Sequence, residues 1–373
     1  MNMQVEVQQR YAGGANQKEA ELCCPVDYDA SLLEMLPREI IDKDYGCGDP
    51  SRYVREGDTV LDLGCGGGKI CYMAAQLVGS RGRVIGVDMT DDMLALARKY
   101  QDEMANKLGG QRVDFYKGYI QDLALDVEAM EAYLAEHPVR STGDLAELQQ
   151  WQRRQRQDEP LIANNSVDLV VSNCVLNLVS DEEKQQMVKE IFRVLRPGGR
   201  VAISDIISDE VVPPHLKQDS ELWSGCISGA FQEQEFIRVF IDAGFLAISY
   251  NKWDAQPWRV VEGIEFRSVT LTAVKGEQSP CLDYGHAVIY KGPHAEVRDD
   301  EGHVFPRGER MAVCERTFKF LTENSVYGGD FIGIEPTQRG EAKTFCASSG
   351  TRRPVSETKG GIITGGTSSG SCC

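Results

Sequence analysis

The sequence predicts an α/β fold built on a doubly wound parallel sheet, and three observations carry this prediction. Short apolar segments alternate with helical segments from Thr59 onward, as in parallel sheets that helices cover on both faces. A glycine-rich loop lies within residues 61–71, directly after the first apolar segment. The second apolar segment ends on an aspartate, Asp88. Ligands of such sheets bind beyond the carboxyl ends of the strands, so we expect the functional site there.

Apolar periodicity and turn residues set the predicted elements. The predicted strands are 59–63, 83–88, 112–118, 167–173 and 200–205, and the predicted helices are 69–78, 90–108 and 181–195. Further along, the patterns predict a helix over 233–243 and strands over 245–253 and 268–275, which either complete the sheet or form a side domain. Near the amino terminus, Ser31 is the predicted N-cap of a short helix over 31–40, whereas Tyr11-Ala-Gly-Gly is predicted to be flexible.

The predicted domain organisation has four parts. Residues 1–210 hold an entry segment and the doubly wound domain, interrupted by an insertion of two charged helices over 124–163. Residues 211–280 form a second segment, and 281–345 have the turn-rich pattern of a small, mainly β domain. Residues 346–373 are rich in Gly, Ser and Thr and are predicted to be a flexible tail ending in Cys372-Cys373.

Charge and composition exclude several classes of protein. The net charge of −17 and the pI near 4.8 argue against binding to nucleic acid or to an anionic membrane surface. The amino terminus lacks the apolar core of a signal peptide, and no apolar run approaches the ~18–20 residues needed to cross a bilayer. We therefore expect a cytoplasmic enzyme, where stable disulfides are rare, although the chain has 12 cysteines. None of them forms a C-x-x-C pair, which argues against a zinc ribbon.

The glycine-rich loop selects the class of ligand. It lacks the dinucleotide fingerprint because Lys69 occupies its last glycine position, and Ile70 rules out a phosphate-binding P-loop. The remaining pattern, Asp62-x-Gly64-x-Gly66-x-Gly68, resembles motif I of class I S-adenosylmethionine (SAM) methyltransferases, with Asp88 placed to hold a ribose diol. The residues that this resemblance assigns to SAM are Tyr11, Asp62, Gly64, Cys65, Gly66, Tyr72, Asp88, Met89, Ile120, Gln121 and Asn173.

Four cysteines lie where predicted loops or element ends would expose them. Cys71 is in the first helical turn, where the positive end of the helix would favour a thiolate, and Cys174 follows the fourth strand. Glycines flank Cys47, and small residues surround Cys226. Other interpretations remain open at this point: Cys71 could fill a gap between helix and sheet, Cys47 could have no role, and Cys226 could serve close helix packing.

Several runs resemble arsenite SAM methyltransferases. They are Tyr45-Gly-Cys-Gly, Leu61-Asp-Leu-Gly with Cys71-Tyr72, Gly86-Val-Asp-Met89, Val171-Ser-Asn-Cys-Val-Leu-Asn-Leu178, Leu222-Trp-Ser-Gly-Cys226 and the carboxyl-terminal Cys281 with Ala287-Val-Ile-Tyr-Lys-Gly292. The resemblance implies a class I fold with an arsenic-binding segment. It also implies that Cys71, Cys174 and Cys226 bind trivalent arsenic, and that Cys47 is their redox partner. Thioredoxin or glutathione would serve as reductant.

Two alternatives remain. One is a SAM methyltransferase that acts on a carbon or oxygen of a small organic molecule and uses an acid or base near Asn173. The other is a thiol protein that sequesters metalloids without catalysis. Soft trivalent arsenic prefers thiolates, and its lone pair carries no proton, so an arsenic methyltransferase would need positioning and water exclusion rather than a general base.

Overall fold

The computed structural model describes residues 3–16, 26–277, 279–323, 325–327, 329–336, 341–345 and 350–358. The chain divides into two compact units, Met1–Lys275 and Gly276–Cys373. Residues 211–280 were expected to form a segment of their own. Residues 211–275 of this range belong to the first unit, because strands from this region extend its central sheet.

The first unit contains one large sheet, and all of the strands predicted up to residue 275 belong to it. Its strands are β1 (Thr59–Leu63), β2 (Arg83–Asp88), β3 (Val113–Lys117), β4 (Val167–Asn173), β5 (Leu195–Ser208), β6 (Phe231–Gln232), β7 (Phe245–Trp253), β8 (Arg259–Val261) and β9 (Ile264–Lys275). The spatial order is β3-β2-β1-β4-β5-β9-β7, with β6 beside β5 and β8 beside β9. Strands β1 to β5 pair in parallel, whereas β9 is antiparallel to both β5 and β7. The sheet order reverses at β1, where β1 lies between β2 and β4.

Helices cover both faces of this sheet. They are α1 (Met3–Asn16), α2 (Ala30–Leu33), α3 (Arg38–Asp42), α4 (Lys69–Leu77), α5 (Asp91–Lys99), α6 (Gln101–Leu108), α7 (Val127–Glu136), α8 (Thr142–Asp158), α9 (Asp181–Val194), α10 (Pro214–Lys217), α11 (Ser220–Ser224) and α12 (Glu233–Asp242). Two buried apolar clusters form the core, one including Leu61 and Leu63 and the other Val60 and Met73. Alternating strand residues enter opposite clusters because successive side chains of a strand point to opposite faces.

Three local predictions near the helices were wrong. The Tyr11-Ala-Gly-Gly stretch is helical, within α1. The predicted helix over 31–40 is two short helices, and its N-cap is Asp29, whose side chain accepts a hydrogen bond from the Ser31 N–H at 2.9 Å. Pro37 stands at the start of the second, since proline cannot continue the first. The helix predicted over 90–108 is interrupted at Tyr100.

The second unit is mainly β, as predicted. It contains β10 (Leu282–Asp283), β11 (Ala287–Tyr290), β12 (Glu296–Arg298), β13 (Val304–Pro306), β14 (Arg310–Ala312), α13 (Glu315–Glu323), β15 (Phe331–Ile334) and β16 (Lys343–Thr344). Residues 350–358 were predicted to belong to a flexible tail, but here Arg353 pairs with Asp283 at 2.7 Å and Arg352 bridges to Met311. Five cysteines lie outside the described residues: Cys23, Cys24, Cys346, Cys372 and Cys373.

Candidate active site

A cavity of about 660 Å³ opens at the carboxyl ends of β1, β2 and β4. This is the edge where the order of a doubly wound sheet reverses, so the ligand site is where the fold predicts it. Ten of the eleven residues predicted to bind SAM line it: Tyr11, Asp62, Gly64, Cys65, Gly66, Asp88, Met89, Ile120, Gln121 and Asn173. Tyr72 does not. Its ring is buried against Phe115, and its hydroxyl donates to the Ala97 carbonyl at 2.7 Å.

The glycine loop after β1 forms one wall of the cavity. Gly64 has a φ of +66°, and a Cβ there would lie 2.4 Å from Val175 Cγ1. A larger residue is therefore excluded by both backbone conformation and space. The next turn is closed by Asp88, whose Oδ2 accepts from the Gly66 N–H at 2.9 Å and whose Oδ1 accepts from the Thr90 N–H at 2.8 Å. Asp88 thus holds the loop while its carboxylate faces the cavity.

Helix α1 closes another side of the cavity; the sequence predicted Tyr11 there but not the helix that carries it. Val7 and Tyr11 line the cavity from this helix. Gln8 donates to the Met89 carbonyl at 3.3 Å, and Arg10 donates to Ser224 Oγ at 2.7 Å. Helix α1 therefore bridges the β2 side and the α11 side of the pocket. The inserted helices of 124–163 contribute no residue to the lining of this cavity.

Asn173 fixes the loop that carries Cys47. Its Oδ1 accepts from the N–H groups of Cys47 and Gly48, at 2.9 and 3.0 Å, and its Nδ2 donates to the Gly48 carbonyl at 2.8 Å. Gly46 permits this approach, because a Cβ there would lie 2.0 Å from Asn173 Nδ2. The run Tyr45-Gly-Cys-Gly is thus held against the end of β4 by a single amide side chain.

Three of the predicted cysteines converge beside the cavity. Cys47 and Cys174 form a disulfide with a Cα–Cα distance of 5.8 Å. Cys226 Sγ donates to the Cys174 carbonyl at 3.1 Å and lies 3.8 Å from the Tyr11 hydroxyl. Cys174 and Cys226 both have positive φ, +61° and +59°, which is rare for residues other than glycine and often marks functional sites. All three belong to one buried cluster, and Cys174 also lines the cavity.

Cys71 does not join this group, contrary to the prediction from the sequence. Its sulfur donates to Asp62 Oδ2 at 3.2 Å, inside the other core cluster. An added Cβ on Gly86 would lie 2.9 Å from the sulfurs of both Cys65 and Cys71, so these two thiols meet over Gly86. Burial, followed by the neighbouring Cys65 and Asp62, raises the pKa of the Cys71 thiol. Desolvation outweighs the helix end that was expected to lower this pKa.

Two further polar residues support the cysteine group, and sequence reasoning missed their roles. Asp205, buried in β5, accepts from Asn177 Nδ2 at 2.8 Å and from the Leu176 N–H at 2.9 Å. Asn177 also donates to the Ile206 carbonyl at 2.6 Å. A carboxylate oxygen of Asp205 lies within 4.8 Å of the sulfurs of Cys47 and Cys174. The available signal was an aspartate within a predicted apolar strand, where an unpaired charge is costly.

The fold and the site together define a class I SAM methyltransferase. A methyltransferase domain model matches residues 55–133 and 143–244, and a domain of unknown function (DUF8838) matches 277–363. The chain belongs to the arsenite methyltransferase family. It is 32% identical over 84% of its length to the arsenite methyltransferase of Aquipseudomonas alcaligenes, covering 86% of that protein, and 32% identical over 80% of its length to that of Homo sapiens, covering 73%. The crystal structure of an arsenic (III) SAM methyltransferase from Chlamydomonas reinhardtii matches with a TM-score of 0.55 and 29% identity, over 86% of this chain and 99% of that one.

Among the described residues, no helix is both long and apolar enough to cross a membrane.

The placement of Asp88 gives a first testable prediction. Asp88→Asn should weaken SAM binding about 10- to 100-fold, because a hydrogen bond to a charged group contributes ~1.5–3 kcal/mol. Titration calorimetry with SAM measures this. Asp91→Asn is the matched control, because Asp91 is exposed and does not line the cavity. Equal SAM affinity in the wild type and Asp88→Asn would show that Asp88 does not hold the cofactor.

Proposed function

We propose that this enzyme transfers the methyl group of SAM to trivalent arsenic held by cysteine thiolates, yielding methylated arsenicals for detoxification. The observation that carries the proposal is the convergence of Cys47, Cys174 and Cys226 beside the cavity that the SAM-binding loop lines. Soft thiolates match trivalent arsenic better than harder metals. In this proposal Cys174 and Cys226 bind arsenic, Cys47 is their redox partner, and Cys71 takes no part.

The chain's own groups would then position the reaction. Thiolates at Cys174 and Cys226 hold the metalloid, and the lone pair on arsenic attacks the methyl group in line. The glycine loop and Asp88 orient SAM, and α1 with Tyr11 excludes water from the cavity. No general base is required, because the attacking lone pair carries no proton.

Methyl transfer raises the formal oxidation state of arsenic by two, so two electrons are needed to restore the trivalent state. Two thiols that form a disulfide supply them and release two protons. The Cys47–Cys174 disulfide is the oxidised product that this step would leave. An external thiol reductant, thioredoxin or glutathione, would then regenerate the thiols by exchange. These reductants fit the expected cytoplasmic setting.

This redox proposal predicts the behaviour of a Cys47 variant. Cys47→Ser should stop after roughly one methyl transfer per enzyme, because Cys174 then lacks the partner it needs for exchange. A strong dithiol such as dithiothreitol should restore turnover. The measurement is the amount of methylated arsenic per enzyme, with and without the dithiol. Sustained turnover of Cys47→Ser with glutathione alone would contradict the assigned redox role.

The most direct test of the whole function is incubation of the chain with arsenite, SAM and a thiol reductant, followed by speciation of arsenic. Methylated arsenicals should appear only when all three are present. A SAM methyltransferase of organic molecules would yield none and would tolerate thiol-blocking reagents. A sequestering protein would bind arsenite stoichiometrically without product.

A further inference from the structure

The second unit holds a pair of cysteines that the reaction described above does not use. Cys314 is buried and directly precedes α13, and Cys281 directly precedes β10 and is half-buried. Helix α13 packs against β10, which places the two cysteines at neighbouring element starts, and the nearby Cys314 thiol adds to the rise that burial causes in the pKa of the Cys281 thiol. Both are free thiols. This makes them the second place in the described residues, after Cys65 and Cys71, where two reduced cysteines meet.

Two polar groups of Thr317 contact the sulfur of Cys314. The N–H of Thr317, in the first turn of α13, donates to Cys314 Sγ at 3.4 Å, and the Thr317 hydroxyl is 3.3 Å from the same sulfur. The Cys314 sulfur therefore makes polar contacts at the start of α13 and is not packed among apolar groups alone.

The segment before Cys281 is held in place near the start of α13. Arg316 donates to the carbonyls of Ser279 and Glu277, both at 3.4 Å, and thereby holds the segment before Cys281 against the start of α13. The guanidinium also opposes the rise in the Cys281 thiol pKa that burial and Cys314 cause. Cys281 is partly exposed and Cys314 is buried, so a small thiophile can bind the first and then the second.

The number of thiol ligands that the pair offers indicates which kind of ion or metalloid it can bind. Within the described residues, neither thiol belongs to a group of three His, Cys, Asp or Glu side chains whose ligand atoms converge. Zinc takes four such ligands in structural sites, so the pair does not suit it. A trivalent arsenical that already carries one carbon substituent needs only two thiolates to complete its coordination.

We propose that Cys281 and Cys314 form a second binding site, for monosubstituted trivalent arsenicals, distinct from the methyl-transfer site. Binding forms two As–S bonds and loses the oxygen ligands as water: an arsenical R–As(OH)₂ and two thiols give R–As(S)₂ and two molecules of water. No oxidation or reduction takes place. The proposal rests on the proposed function only for the expectation that such arsenicals arise as products.

The test uses phenylarsine oxide, which bridges two thiols, on the full-length chain at one equivalent. Lys291, Arg298, Arg307 and Arg310 separate the two cysteines, so trypsin should release two peptides joined through one phenylarsenic group, found by mass spectrometry. Cys281→Ala and Cys314→Ala should each abolish this linked pair. In each variant only one thiol of the pair remains. The concentration of phenylarsine oxide that half-saturates this thiol should rise about 100-fold, since the arsenic atom is no longer held by two thiols at once.

Two controls keep the outcome interpretable. Thermal melting of each variant shows whether the second unit remains folded, and Thr322→Ala, on the same helix away from the thiols, should leave the linked pair intact. Bridging that never joins Cys281 to Cys314 in the wild type would overturn the proposal. Methylation of arsenite is assayed separately: loss of methylation with bridging intact refutes the proposed function alone, and normal methylation without bridging refutes this inference alone.

Discussion

Cys226→Ser is expected to lower the rate of arsenite methylation at least about 100-fold, because losing one ligand leaves the metalloid misplaced relative to the methyl group. SAM binding should be unchanged, since Cys226 does not line the cavity of the glycine loop. The rate is measured by arsenic speciation, and SAM affinity by calorimetry. Cys174→Ser should give the same loss of rate.

Cys71→Ser is the control that discriminates between the two sets of thiols. Cys71 lies under the glycine loop with Cys65 and Asp62, away from the cluster of Cys47, Cys174 and Cys226. A serine hydroxyl can still donate to Asp62, so we expect methylation to stay within a few-fold of the wild type. Activity lost in Cys71→Ser but kept in Cys226→Ser would reverse the assignment. Full activity in both Cys174→Ser and Cys226→Ser would end the arsenic-binding hypothesis.

A second large effect concerns stability and pH, through Asp205. Burial raises the pKa of this carboxyl to about 7 in the folded chain, against about 4 when it is exposed. Between pH ~4 and ~7 the folded chain keeps the Asp205 proton that the unfolded chain has lost. The stabilisation that this bound proton contributes to the free energy of unfolding is therefore lost as pH rises from ~4 to ~7. At ~1.4 kcal/mol per pKa unit the contribution is on the order of 4 kcal/mol.

Asp205→Asn removes this titration. We expect the variant to gain stability relative to the wild type as pH rises through this window, with the largest relative gain near pH 8. Urea unfolding of the full chain across this range measures the difference between the two curves. Asp91→Asn, an exposed control, should run parallel to the wild type. Parallel curves for Asp205→Asn as well would show that its carboxyl is not held protonated by burial.

Much of the fold could be predicted from hydrophobic periodicity and turn residues alone. The first, second and fourth predicted strands coincide with β1, β2 and β4, because buried parallel strands are continuous apolar runs bounded by glycine or polar residues. Strand β5 extends on both sides of its predicted range, since pairing with β9 continues to Ser208 and pairing with β4 begins at Leu195. Helix α1 was missed because two glycines lower its propensity, and its contacts with α5 and α11 belong to tertiary packing.

By itself, the sequence determined the order of strands and helices along the chain, the position of the glycine loop and ten of the residues that line its cavity, because these depend on local spacing and on where parallel strands end. Only the tertiary structure decided which sulfurs meet. Cys71 donates a hydrogen bond to Asp62, nine residues away, whereas Cys47 and Cys174, 127 residues apart, form a disulfide. Contacts between distant segments arise from the positive φ of Cys174 and Cys226 and from the amide of Asn173, and no periodicity in the chain encodes them.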